Sequence, residues 1–177
     1  MICDHIFVEL DKALHDRETF DCGEEDLNDF LKTKALRHMK VGVSRTLVLP
    51  CRENNAQGKH CICAFFTVAP GSVARETFSE QEAKRLPSYP VPVFLIAQLA
   101  VDGRHQGTGL GKITLIKALE YLWKVNAYMR AYAVVVDCLT EKAVPFYEKF
   151  GFKSLGQYRG HKRMFLPMET AGRLFEN

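Results

Sequence analysis

Residues Pro92–Leu122, "PVFLIAQLAVDGRHQGTGLGKITLIKALEYL", join two patterns that fold differently. The apolar run up to Val101 is rich in branched residues and suits a central strand buried on both faces. From Leu110 onward the apolar residues Ile113, Leu115, Ile116, Leu119, Leu122 and Trp123 recur at helical spacing. Between the two lie Gly103, Gly107, Gly109 and Gly111. A buried strand feeding a helix through a glycine turn implies an α/β architecture. It also implies backbone that something approaches closely, because N–H groups at a helix start are ready to hold an anion.

The flanking sequence extends this pattern. "HIFVEL" reads as a first strand and "GEEDLNDFLKTKALRHMKV" as a helix, its acids at the start and bases at the end complementing the helix dipole. "SRTLVLPC" and "HCICAFFTVAP" read as strands around the polar turn "RENNAQGK". Pro70–Pro92 reads as a surface loop with a short helix. "AYAVVVDCL" is a further buried strand, and "TEKAVPFYEKFGF" a helix closed by Gly151. Short strands follow at "FKSLGQY" and "RMFLPM". Alternating strands and helices over 177 residues give one α/β (α+β) domain, residues 1–177. No window of eighteen apolar residues occurs, so no helical membrane span is expected. The N-terminus lacks signal-peptide architecture, and a cytoplasmic location is expected.

The six cysteines show no C-x-x-C and no partnered histidine pair. Buried thiols and no metal are therefore expected. Net charge is only +3, but no acid occurs between Phe30 and Arg52 while Lys32, Lys34, Arg37, Lys40 and Arg45 do. That block is either a solvated face or a surface for an anionic partner. A second basic patch is Arg159, His161, Lys162 and Arg163.

Two phosphate-binding signatures fail on the glycine turn. A P-loop would place its first glycine at Gln106 and its Ser/Thr at Ile113. The dinucleotide fingerprint G-x-G-x-x-G would need a third glycine at Lys112 or Thr114. What stands is Q-x-x-G-x-G, Gln106-Gly107-Thr108-Gly109-Leu110-Gly111, preceded by "LAVD" and followed about 35 residues later by "AVPFYEKFGF". In that order these motifs resemble the GNAT superfamily of acyl-CoA-dependent N-acetyltransferases. "FDCGEEDLNDFLKTKA", Phe20–Ala35, is similar to the N-terminal signature of the acetyltransferase toxins of bacterial type II toxin–antitoxin modules. The likeness spans Phe20–Pro167. Gln98 stands where those proteins commonly carry arginine, and Thr140 where asparagine is common.

The resemblance implies a GNAT fold: a mixed, twisted sheet splayed between strands four and five and flanked by helices. It implies acetyl-CoA, with pantetheine along Leu99, Ala100 and Val101 and near Thr140 and Phe146. The pyrophosphate would rest on backbone from Gln106 to Lys112 (Gln106, Gly107, Thr108, Gly109, Leu110, Gly111 and Lys112). It further implies aminoacyl-tRNA as substrate, a ribbon-helix-helix antitoxin and a homodimer. The alternatives are acetylation of a small-molecule or protein amine, or a non-catalytic RNA- or partner-binding domain.

Acetyl transfer needs a neutral amine and an acid for the departing thiolate. Tyr147 in "PFYEKF" is the candidate acid, since a phenol of pKa about 10 is protonated at neutral pH; packing beside Phe146 and Phe150 is its other explanation. Tyr158, Tyr121 and Tyr89 are weaker rivals, Cys138 reads as a core thiol, and His105 as a phosphate contact or an exposed residue. A lysine amine is neutral in only about one molecule in a few thousand at pH 7, an α-amine in about a tenth. No dedicated base accompanies the motif, so an aminoacyl ester suits these residues better than lysine. The acid-free block would then neutralise tRNA phosphates.

Overall fold

The expected central strand is β5 (Val91–Val101), one of eight in the computed structural model, which describes residues 5–176. The others are β1 (Val8–Glu9), β2 (His15–Asp16), β3 (Arg45–Asn54), β4 (His60–Val73), β6 (Ala133–Cys138), β7 (Lys153–Tyr158) and β8 (His161–Pro167). Their order is β1-β3-β4-β5-β6-β8-β7, with β2 pairing β4 off this path. β5–β6 and β2–β4 are parallel, while β1–β3, β3–β4, β6–β8 and β7–β8 are antiparallel, so the sheet is mixed.

The β5–β6 ladder runs from Val93↔Ala133 to Ile96↔Val136 and ends there. Ala97–Val101 of β5 lie outside it, and Ala97 is exposed with Gln98 and Leu99 half-buried. The expectation of a strand buried on both faces therefore holds best for Val93–Ile96, of which all but half-buried Leu95 are buried.

The chain forms two compact units, Met1–Ala69 with Ala97–Ala118 and Pro70–Ile96 with Leu119–Asn177. In the first, α1 (Glu25–Asp29) passes through a π-helical turn (Phe30–Lys34) into α2 (Ala35–Lys40). Leu27, Phe30, Leu31 and Ala35 fall on one face and pack with Phe20, Val48, Ile62, Phe65 and Ala100. Each fully buried aromatic or aliphatic side chain there contributes about 1.5–3 kcal/mol. The wider turn is tied by Arg17, whose Nη1 donates to the Lys32 carbonyl, and by Thr33 Oγ1 donating to the Asp29 carbonyl at 2.9 Å. Helix α4 (Leu110–Asn126) begins in this unit and continues into the second.

In the second unit, Val73, Phe78, Val91, Val93, Ala133, Val135, Leu155 and Phe165 form a core. Phe78 meets Phe165 and Tyr132 edge-on, each at 5.4 Å. Pro70–Pro92 is thus more than a surface loop: β4 runs to Val73, and a short helix α3 (Glu80–Ala83) starts from a Ser79–Glu82 capping box. Helices α5 (Ala143–Glu148) and α6 (Met168–Gly172) complete the unit. Sequence patterning missed β2 and α6, each too short to show a period.

The cysteine expectation needs correction. Cys51 and Cys63 are disulfide-bonded and Cys61 is half-buried, whereas Cys22 and Cys138 are buried thiols. Cys3 lies outside the described residues.

Candidate active site

In the first unit the glycine turn is held from behind by one carboxylate. Asp102, 1% exposed at the end of β5, accepts from Arg104 N–H at 3.0 Å, Arg104 Nε at 2.7 Å and the Asp21 N–H at 3.1 Å. Burial by itself would raise its pKa. The hydrogen bonds from Arg104 and the Asp21 N–H outweigh that and hold the carboxyl below the usual range. Gly103 N–H donates back to the Asp21 carbonyl at 2.8 Å. Gln106 turns its amide inward, giving both N–H groups to the Cys22 and Val101 carbonyls at 2.8 Å. The Gln106 side-chain NH2 is therefore a brace for the turn and not a donor to a ligand. Asp21, Cys22 and Asp102 hold this turn in place, and the sequence pattern does not single them out, although "FDC" and "LAVD" contain them.

Gly107 and Gly109 adopt φ of +75° and +85°, conformations that side-chain-bearing residues rarely take, and nothing lies within 4 Å of where their Cβ atoms would be. Thr108 Oγ1 donates to the His105 carbonyl at 2.6 Å, so its hydroxyl shapes the turn. Leu110, Gly111 and Lys112 open α4, where the first N–H groups have no intrahelical acceptor. The turn is thus open-faced and rich in donors, as an anion site requires. His105 differs from expectation: it is buried, and its Nε2 lies 3.7 Å from Cys51 Sγ.

In the second unit, α5 carries Tyr147 and ends in a tightly specified cap. Phe152 N–H donates to the Tyr147 carbonyl at 3.3 Å and Gly151 N–H to the Glu148 carbonyl at 3.0 Å, with Gly151 at φ +88°. This is the Schellman arrangement, including its apolar contact, since the Tyr147 and Phe152 rings lie 5.4 Å apart. The spacing F-Y-x-x-x-G-F therefore has a physical purpose: glycine and phenylalanine fix the tyrosine. Tyr147 is 8% exposed and also meets Phe146 edge-on at 5.1 Å. Burial pushes its phenol well above the ordinary value, with Cys138 acting in the same direction. It is protonated throughout the neutral range. Burial likewise raises the Cys138 thiol, which fits a core residue and not a nucleophile. Thr140 occupies a bend and its carbonyl accepts from Ala143 N–H at 3.1 Å; the helix starts three residues later than its sequence suggests.

Among the rival tyrosines, Tyr89 is 66% exposed, and Tyr158 is covered by the Arg163 guanidinium, 3.9 Å from its ring centre. Arg163 also pairs with Asp137 at 2.7 Å, so the second basic patch is partly neutralised. In the acid-free block, Lys34 pairs with Asp29 at 2.9 Å and Arg45 with Glu9 at 3.4 Å. Arg37 and Lys40 are exposed, and Lys32 is half-buried.

The first unit thus offers a strand–glycine turn–helix with an open donor face, and the second a protonated tyrosine fixed at a helix end. The Acetyltransferase (GNAT) family profile matches residues 62–152. The chain is 34% identical over 138 residues, 78% of each protein, to a tRNA-acetylating toxin of Mycobacterium tuberculosis. It belongs to the GNAT acetyltransferase family. Its fold is similar to that of AtaT complexed with acetyl-methionyl-tRNAfMet (TM-score 0.83, 26% identity, covering 97% of this chain and 99% of that one). It is also similar to AtaTR bound with acetyl-CoA (TM-score 0.81, 27% identity, covering 97% and 98%).

Proposed function

We propose that this chain is a toxin that moves the acetyl group of acetyl-CoA onto the α-amino group of an aminoacyl-tRNA, blocking its normal use in translation. The supporting observation is the open glycine turn ahead of α4 in a chain one-third identical to a tRNA-acetylating toxin. Backbone N–H groups from Gln106 to Lys112 hold the pyrophosphate, with the Lys112 ammonium adding charge. The pantetheine adds as a strand along Leu99, Ala100 and Val101, on the stretch of β5 beyond its ladder with β6. Thr140 and Phe146 contribute to the same arm.

The neutral α-amine attacks the thioester carbonyl. A C–N bond forms, the carbonyl electrons move to oxygen, and backbone N–H near Leu99–Val101 stabilises the oxyanion. On collapse the C–S bond breaks, Tyr147 protonates the thiolate, and the amine sheds its extra proton to water. Lys32, Lys34, Arg37, Lys40 and Arg45 form the phosphate-binding face. A ribbon-helix-helix antitoxin neutralises the enzyme, which acts as a homodimer in the cytoplasm.

The test is incubation with labelled acetyl-CoA and total charged tRNA, against deacylated tRNA and against polyamine and protein mixtures. Label in a base-labile, ester-linked fraction of the charged tRNA alone is the expected result. Label on the other amines, with none on charged tRNA, would overturn the substrate assignment and leave the acetyltransferase class intact.

A further inference from the structure

Three side chains able to ligate a metal meet behind the glycine turn, and acetyl transfer uses none of them. Cys51 on β3, Cys63 on β4 and His105 in the turn place their ligand atoms within 4.8 Å of one another. All three are buried, at 1%, 0% and 9% exposure. Cys51 Sγ lies 3.7 Å from His105 Nε2. In a tetrahedral zinc site, bond lengths of about 2.3 Å to sulfur and 2.05 Å to nitrogen give an S···N edge of about 3.6 Å. The cysteine and histidine therefore already stand at ligand separation. Their backbones are fixed by the surrounding sheet: the two cysteine Cα atoms are 5.9 Å apart, and the Cys63 carbonyl accepts from Asp102 N–H at 2.9 Å.

We propose that the Cys51–Cys63 pair, in its dithiol form, joins His105 to bind a thiophilic divalent cation of the zinc class, with the fourth position left to water. Reduction by a trialkylphosphine breaks the S–S bond; phosphorus takes oxygen from water as phosphine oxide, and each sulfur gains a proton. Cation binding then displaces those two protons, and His105 ligates as the neutral imidazole. Buried thiolates would be costly alone, and the cation supplies the compensating charge. Because His105 is part of the segment from Asp102 to Leu110, the bound cation pins the pyrophosphate turn to β3 and β4. The disulfide form leaves His105 as the sole ligand and holds no cation. The site stands independently of which amine the enzyme acetylates.

The experiment uses the full chain, reduced with phosphine under nitrogen, equilibrated with Zn2+ and freed of excess metal. Elemental analysis should give about one equivalent, and Co2+ in its place should show thiolate-to-cobalt charge transfer. Cys51→Ser and His105→Asn should each lower Zn2+ affinity at least about tenfold against a chromophoric chelator. Diamide-oxidised protein should retain no metal. A second measurement needs only the natural sequence: Zn2+ should protect Cys51 and Cys63, but not half-buried Cys61, from alkylation read by mass spectrometry. Substoichiometric metal in reduced protein, or alkylation of Cys51 and Cys63 unaffected by Zn2+, would overturn the site.

Discussion

Replacing Asp102 by asparagine should loosen the pyrophosphate turn, because this carboxylate joins two chain segments 81 residues apart. Its Oδ2 accepts from Asp21 N–H, and both oxygens take the Arg104 guanidinium. The asparagine side chain would keep one accepting oxygen and turn an NH2 toward one of those donors. The Arg104 part is worth little, since that side chain is 48% exposed and solvent screens the pair to about 0–1 kcal/mol. The Asp21 part is larger: a charge-assisted bond to a buried carboxylate contributes about 1.5–3 kcal/mol. A total near 2–3 kcal/mol follows, or a drop in Tm of about 4–12 °C for a chain of this size. Urea unfolding followed by circular dichroism at pH 7 measures it, with Arg104→Ala as the control for the exposed pair. A loss below about 0.5 kcal/mol, or equal losses in the two variants, would mean that Asp102 does not carry the join.

Tyr147→Phe keeps the ring contacts and should lower turnover about 10²–10⁴-fold with little change in acetyl-CoA affinity; near-normal turnover would return Tyr147 to a packing role. Because burial raises its folded pKa, the phenol should stay protonated and cause no loss of turnover between pH 7 and about pH 10. Above that, the unfolded phenol ionises first, so the natural protein should lose stability relative to Tyr147→Phe as pH rises. Gly109→Ala meets no protein atom but pays about 1–2 kcal/mol for φ +85°, and should weaken acetyl-CoA binding in calorimetry at least about tenfold; undiminished binding by the folded variant would refute the pyrophosphate assignment. Gly151→Ala forces a side chain into φ +88° and should cost about 1–2 kcal/mol in urea unfolding, falling on the cap that holds Tyr147. Reversing Lys32, Arg37 and Lys40 to glutamate should raise KM for aminoacyl-tRNA and flatten its salt slope by about one per lost phosphate contact. A small amine should be acetylated as before, and equal losses on both substrates would mean damage to the fold.

The parts legible in the sequence are those whose cause is local. The β5–turn–α4 junction is written in consecutive residues, and the Schellman cap in seven, so periodicity and glycine placement reveal both. The π turn is invisible because Leu27, Phe30, Leu31 and Ala35 fit an ordinary helix equally well. Phe78 is hidden among prolines and polar residues, yet it plugs the space between Tyr132 and Phe165, a partnership that no window around it contains.

Asp102 and Gln106 show the same limit within the site. Both stand in recognisable motifs, but what they hold is the Phe20–Gly23 segment, brought alongside by the packing of α1 and not by anything near residue 102. The cysteine–histidine cluster is the extreme case. Separations of 12 residues from Cys51 to Cys63 and 54 from Cys51 to His105 match no metal signature, and Cys51 lies where β3 pairs β4 with register shifts between Leu49 and Pro50 and between Pro50 and Asn54. One residue of slip there would point Cys51 to the opposite face of the sheet. The Cys51–Cys63–His105 cluster is thus assembled from three segments, β3, β4 and the glycine turn, that come together only in the folded chain, so no window of the sequence contains it.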